Sequence, residues 1–202
     1  MPAERCIYLV RHGETVGESS VRYHGRNDVA LSDDGRGQVA RLRPLVQHVR
    51  FASVIHSPLD RARESAQILI DGLHGVPDVI EEAPDLIEVD FGAIEGLTEA
   101  EIAVELPDWY TTWKRGEALG FPDGESHAGF QQRIEAAFAG LLSRHPDGHL
   151  LVVVHKGVIK RGLGWLLGLS AEAAGRLDPA LGSLTVVSCG REVRLKHWSQ
   201  TL

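Results

Sequence analysis

Cysteine is nearly missing from this 202-residue chain: there are two, Cys6 and Cys189, each inside an apolar stretch that reads as a buried strand. This excludes a disulfide framework or a thiolate metal site and suits a reducing compartment. Long hydrophobic runs are missing too, and the longest, Leu150 to Val154, is far too short to cross a bilayer. The first residues, MPAER, are polar and lack the apolar core of a signal peptide, so the expectation is a cytoplasmic protein with no membrane partner. Basic charge is in deficit, with 21 Lys and Arg against 28 Asp and Glu and a formal charge of −7. The molecule as a whole repels a polyanion, so no nucleic acid partner is expected. Internal repeats, low-complexity tracts and linkers are also wanting. What is there, 43% apolar and 24% charged residues, fits a single domain over 1–202, able to bury about 70% of its unfolded surface.

Apolar runs rich in β-branched residues fall at Ile7–Val10, Ala52–Ile55, Leu150–Val154 and Leu184–Val187, and amphipathic stretches separate the first three. That alternation predicts an α/β protein with a mainly parallel central sheet covered by helices. Helices are expected over Gly37–Val49, Leu59–Leu73, Glu99–Glu105, Ser126–Arg144 and Gly157–Leu167, with Asp33 or Asp34 capping the first and Ser126 the fourth. Ser183 to Trp198, with Gly190 between two strand-like runs, reads as a hairpin ending the sheet. Gly75 to Pro84 reads as irregular. Residues 92–126 carry Trp109, Tyr110 and Trp113 and form a lid candidate; the two tryptophans, at helical spacing, are expected in the core.

Three strands end in chemically active residues. The first runs into Arg11-His12-Gly13-Glu14-Thr15, the second into His56-Ser57-Pro58-Leu59-Asp60-Arg61 and the third into His155-Lys156-Gly157. In a parallel sheet these carboxyl ends point the same way, which is where ligands bind. Arg11 and Arg61 offer planar donors matched to phosphate oxygens, Thr15 and Ser57 offer hydroxyls, and Gly13 lets backbone approach a ligand. The helix start after His155 offers amide N–H groups as a further anion site. His12 is open at this point to roles as nucleophile, base or neighbour. His24, His48, His56, His74, His127, His145, His149 and His197 show no metal-ligand spacing, so no metal and no cofactor are expected.

The runs LVRHGET, HGRNDVALSDDGRGQ, SPLDRARESA, LIEVDFGAIEGLT, FPDGES and LLVVVHKGVIK resemble, in that order, the signature blocks of the histidine phosphatase superfamily, also called the phosphoglycerate-mutase-like family. The resemblance spans residue 7 to about 165. It implies a three-layer αβα sandwich and metal-independent phosphoryl transfer through a phosphohistidine. By motif position it makes His12 the nucleophile, Arg11, Arg61 and His155 the phosphate pocket, and Glu88 the proton donor, with His24 and Gly25 in a loop at the site entrance. Arg22-Tyr23-His24-Gly25 and Asp90-Phe91-Gly92 with Glu95-Gly96-Leu97-Thr98 are similar to α-ribazole phosphatases, and sugar-phosphate phosphatases share much of this pattern.

The chemistry asks for these residue types. A neutral imidazole attacks phosphorus through one ring nitrogen while the other donates to an acceptor, and a cation beside it opposes protonation. Charge on the equatorial oxygens of a loose transition state calls for guanidinium and N–H donors. An alkoxide leaving group needs a proton, which Glu88 would supply; Asp85 and Asp90 are the competing carboxyls. Arg63 is expected on the helix surface.

Two positions depart from the family pattern. Where many relatives place a phosphate-binding Asn, this chain has Glu18. At about 4 Å from another negative charge, with an effective dielectric near 20, repulsion would be on the order of 4 kcal/mol, so Glu18 should turn away or pair with Arg22 or Arg26. Lys156 stands where relatives commonly have Gly, and its ammonium either augments the phosphate pocket or receives an anionic part of the substrate, such as a carboxylate. The expected function is hydrolysis of a small-molecule phosphate ester by a monomer or homodimer. The alternatives are a phosphoglycerate-type mutase and a catalytically weak phospholigand-binding protein.

Overall fold

The computed structural model describes residues 5–202, so the MPAE start lies outside the described residues. Six strands, β1 (Arg5–Arg11), β2 (Phe51–His56), β3 (Val79–Glu82), β4 (His149–Val154), β5 (Leu184–Cys189) and β6 (Val193–Gln200), form one sheet in the order β3-β2-β4-β1-β5-β6. The first four run parallel to one another, whereas β5 is antiparallel to β1 and β6 to β5. The expected terminal hairpin is therefore present, at the sheet's edge. The supposedly irregular stretch before Pro84 holds β3, whose Val79 and Ile80 are exposed at the other edge and show no buried alternation.

Eight α-helices accompany the sheet: α1 (Asp33–Arg41), α2 (Arg43–Val46), α3 (Asp60–Ile70), α4 (Glu99–Glu105), α5 (Pro107–Lys114), α6 (His127–Arg144), α7 (Lys156–Leu167) and α8 (Ala171–Gly175). The sheet has apolar residues on both faces, as strands covered on both sides require. Ile7, Leu9, Leu150, Val152 and Val154 meet Phe130, Ile134 and Phe138 of α6 and Val158, Ile159 and Leu163 of α7. Val10, Leu151 and Val153, pointing the other way, meet Val39 of α1, Val46 of α2 and Ala66 and Leu69 of α3. These two cores make a three-layer αβα sandwich.

Boundaries differ from the pattern-based reading for local reasons. The first helix starts at Asp33, not Gly37, because Ser32 accepts a hydrogen bond from the Gly35 amide and is the cap in place of Asp33 or Asp34. It breaks at Leu42, and a short second helix follows with Pro44 in its first turn. Helix α5 was not expected; Pro107 opens it, a favoured position for proline. It buries no residue, so Trp109 and Trp113 are not in the core. They stack on each other instead, centroids 5.3 Å apart.

Helix α1 docks on the turn after β1 with almost no space between backbones. A Cβ at Gly13 would lie 2.2 Å from the Gly35 carbonyl oxygen, and one at Gly35 would lie 1.9 Å from that of Glu14. A Cβ at Gly37, two residues on, would meet only the Arg41 Nη1 atom at 3.5 Å. Gly35→Ala is expected to destabilise the fold by about 1–3 kcal/mol through forced backbone displacement. Gly37→Ala is expected to stabilise it by about 0.5–1 kcal/mol by lowering unfolded-chain entropy. Urea midpoints of the two variants check both signs.

Candidate active site

The order β2-β4-β1 sets three carboxyl ends side by side. Past the last ladder pairs, the Ser57 amide donates to the Val153 carbonyl at 3.1 Å and the His12 amide to that of Val154 at 3.0 Å. Ser57, His155 and His12 thus share one rim. The two imidazole rings sit edge to face with centroids 5.2 Å apart. From the next strand over, the segment leading into β5 fixes the same turn: Gly182 N–H donates to the His12 carbonyl at 3.0 Å and Arg11 N–H to that of Ser183 at 3.1 Å.

Both expected guanidinium groups are buried and held by backbone carbonyls. Arg11 Nη1 donates to Pro179 O at 2.8 Å. Arg61, in the first turn of α3, donates through Nη1 to Asn27 O at 2.8 Å and through Nη2 to Gly25 O at 2.6 Å. Desolvation lowers the pKa of each, and Glu88 is the foremost opposing influence for both. Glu88 is itself buried, with Oε1 accepting from the Val89 amide at 2.9 Å and Oε2 from the Gly157 amide at 3.0 Å. The start of α7 is therefore engaged by this carboxylate at Gly157, which corrects the expectation that its amides stand ready for an external anion.

The imidazoles are neutral. Burial, then Arg61, then Arg11 press His12 well below the usual imidazole range; burial and Arg61 lead the same effect at His155. His12 Nδ1 lies 2.7 Å from the Gly13 carbonyl oxygen, which can only accept, so Nδ1 carries the ring proton and Nε2 keeps its lone pair. His155 Nε2 contacts Ser57 Oγ at 2.7 Å, and that hydroxyl already accepts weakly from the Leu59 amide at 3.4 Å. The hydroxyl can accept a second time and still donate, so the direction of this bond follows the tautomer of the His155 ring.

Five buried side-chain polar atoms lack a hydrogen-bond partner among the described residues, and three belong to this site: Arg11 Nε, Arg61 Nε and His155 Nδ1. Each orphaned buried polar atom costs about 1–3 kcal/mol. A tetrahedral oxyanion is an acceptor in every direction and carries the charge that two guanidinium groups, offset by one carboxylate, leave unmatched.

Arg11, His12, Arg61 and Glu88 line a cavity of about 990 Å³, whereas His155 is fully buried and does not line it, its ring meeting that of His12. His24, Gly25 and Lys156 line it as well. His24 Nε2 donates to the Gly17 carbonyl at 2.5 Å, and Gly25, at φ +50°, presents the carbonyl that holds Arg61. The Lys156 ammonium is already paired with Asp178, 2.5 Å away, which lowers the Asp178 pKa. Thr15, whose hydroxyl was a candidate ligand, and Glu18, at the position where many relatives bind phosphate, do not line the cavity. The Thr15 hydroxyl is spent on Ser19, meeting its hydroxyl at 2.8 Å and its amide at 3.2 Å. Glu18 adopts a left-handed backbone, φ +59°, with its carboxylate turned to solvent and 3.8 Å from Arg22, one of the two pairings its charge called for. Arg63 is exposed and pairs with Asp60, as a surface residue should.

Sequence reasoning missed several lining residues. Ser19 and Ser20 follow Thr15 in the same turn, and Trp113 leans on Tyr23, ring centroids 5.8 Å apart, which in turn meets Phe91 at 5.3 Å. Lys160, Arg161 and Asp178 complete the far wall. Among the described residues no group of three or more His, Cys, Asp or Glu is placed to hold a metal ion, and no helix is long and apolar enough to cross a membrane.

Comparison with known proteins agrees with this geometry. The family profile of the histidine phosphatase superfamily (branch 1) matches residues 7–201. The adenosylcobalamin/alpha-ribazole phosphatase of Salmonella typhimurium is 32% identical over 168 residues, covering 83% of this chain and 82% of that one. A probable phosphoglycerate mutase of Erwinia tasmaniensis is also 32% identical, over 85% of this chain and 79% of its own. Against some mycobacterial relatives the chain, matched over 89% of its length, spans only about half of theirs, 49%. Among solved structures, a putative alpha-ribazole-5'-P phosphatase of Escherichia coli superposes with a TM-score of 0.88 at 26% identity, over 98% of this chain and 97% of the other. Because that family profile covers nearly the whole chain, residues 7–201, the chain belongs to the histidine phosphatase superfamily, branch 1.

Proposed function

We propose that this protein is a phosphomonoester hydrolase acting on a small phosphorylated metabolite, with His12 as nucleophile. The observation that carries the reading is the neutral His12 ring, protonated on Nδ1 by its bond to Gly13, beside two buried guanidinium groups and the unpartnered His155 Nδ1. In the proposed cycle Arg11, Arg61 and His155 hold the phosphoryl oxygens, and His12 Nε2 attacks phosphorus as the bond to the ester oxygen breaks. Glu88 gives its proton to the departing alkoxide, then takes one from the water that attacks the phosphohistidine, releasing inorganic phosphate and restoring both groups. Its two oxygens each accept one amide hydrogen bond and keep a second lone-pair site for that proton. His24, Gly25 and Lys156 border the alcohol part of the substrate. Residues 92–126 serve as a lid within a single 1–202 domain, and the reading places the protein in the cytoplasm. The support for the lid is that Thr98, Glu99, Trp113 and Phe121 line the cavity.

Hydrolysis and mutase transfer would share the first half of this cycle and part at the second, where water or a second substrate takes the phosphoryl group. His12→Ala is expected to lower kcat/KM on p-nitrophenyl phosphate by at least about 10³-fold. Rapid quench should trap an acid-labile phosphoenzyme in the wild type alone. Decay of that species to inorganic phosphate within a turnover supports hydrolysis, and its transfer to phosphoglycerate in preference to water would overturn it.

Glu88→Gln should separate leaving groups. Alkyl phosphates, which need the proton, should slow by about 10²–10⁴-fold, and p-nitrophenyl phosphate, which leaves as a stable phenolate, far less. Equal losses on both would assign Glu88 a binding role.

The neutral imidazoles also make stability depend on pH. Because their folded pKa values are depressed, the unfolded chain binds more protons than the folded one once pH falls below about 6.5. Stability should then drop as pH falls, by up to about 1.4 kcal/mol per pH unit for each ring. Urea unfolding between pH 7 and 5.5 measures the slope, and His12→Asn should make it shallower.

A further inference from the structure

The cavity continues along α7 past the point where the proposed phosphate pocket ends. Lys156, at its first position, is neutralised by Asp178. One turn on stand Lys160 and Arg161, both half-buried and both lining the cavity. Neither side chain makes a hydrogen bond or ion pair among the described residues. The carboxylates that act on Lys160 through space are Asp178 and Glu88; the first is committed to Lys156 and the second accepts from the Val89 and Gly157 amides. Trp113, Phe121 and His127 line the cavity without contributing an anion. Burial lowers the pKa of both Lys160 and Arg161, which records the desolvation they bear without a compensating partner. In a chain with seven more acidic than basic residues, two adjacent unpaired cations facing a cavity are poorly explained as fold-stabilising charges.

We infer that Lys160 and Arg161 form a second anion subsite, selecting phosphate esters whose alcohol part carries another anionic group, a carboxylate or a second phosphate. The inference rests on the reading that the transferred phosphoryl group sits at Arg11 and Arg61. Lys160 lies five residues beyond His155, about 7.5 Å along the helix at about 1.5 Å per residue, the span of a small acid or sugar and not of a polymer. The anion that the sequence pointed toward Lys156 is thereby assigned to the next turn, where the cations are free of an intramolecular carboxylate.

Two matched pairs test this and distinguish the source of the anion: 3-phosphoglycerate against glycerol 3-phosphate for a carboxylate, and fructose 1,6-bisphosphate against fructose 6-phosphate for a phosphate. Binding is measured calorimetrically on His12→Ala protein, in which nothing turns over, so failure of the hydrolytic reading leaves this comparison intact. The doubly anionic member of at least one pair should bind about tenfold tighter or more, as charge-assisted contacts to two cations imply. In the same background, adding Lys160→Met with Arg161→Met should shrink that ratio to about threefold or less. The single changes Lys160→Gln and Arg161→Gln should each lower it in part. A ratio is read within one preparation, so partial loss of folded protein moves both members alike. Equal affinity within both pairs, or a preference that survives the double substitution, would overturn the proposal.

Discussion

Two guanidinium groups and two imidazoles are buried around one carboxylate, and most of the site's architecture follows from that imbalance. Buried charge is tolerated only when hydrogen-bonded or paired. Here Arg11 and Arg61 are bonded to the carbonyls of Pro179, Asn27 and Gly25, and among the carboxylates that act on them the buried Glu88 is foremost for both. The imidazoles cannot add to the charge, and burial beside these cations keeps them neutral. A pocket of this kind is preorganised for a doubly charged oxyanion, because its donors are fixed before the ligand arrives.

Glu88 ties the pocket to the fold. It follows the short turn after β3, yet it accepts the amide of Gly157 at the start of α7. A side chain at position 157 would have no room, since a Cβ there would lie 2.4 Å from Glu88 Oε1 and 3.1 Å from the Phe130 ring. The carboxylate is thus set by two elements far apart in sequence, and its distance from the strand-end histidines is a property of the sandwich and not of a local loop. The aromatic wall of Tyr23, Phe91, Phe121 and Trp113 is fixed by ring-to-ring packing, which lets partly exposed residues hold a defined shape without entering the core.

Much of this was legible in the residues themselves. The four apolar runs mark β1, β2, β4 and β5 because buried strands need β-branched side chains on both faces, and His12, Arg61 and His155 are legible because each ends or follows such a run. Other parts leave no mark. β3 has four residues with an exposed apolar pair, and α8 has five. The partners of Arg11 and Arg61 are carbonyl oxygens, which every residue has, so no side-chain pattern announces them. The hydroxyl of Thr15 pointed to a ligand by chemistry but is consumed four residues later by Ser19, a local competition that spacing alone does not rank.

The clamp on Arg11 is drawn from the opposite end of the polypeptide: its guanidinium donates to a carbonyl 168 positions downstream, and the amides of Arg11 and Gly182 lock the same turn from both directions. Such contacts have high sequence separation, which slows their formation relative to local ones. On a ribosome His12 emerges before Ser183, and its imidazole acquires its full surroundings only after the strand following Ser183 has joined the sheet. A nascent chain thus carries the histidine long before it carries the turn that holds its ring in place.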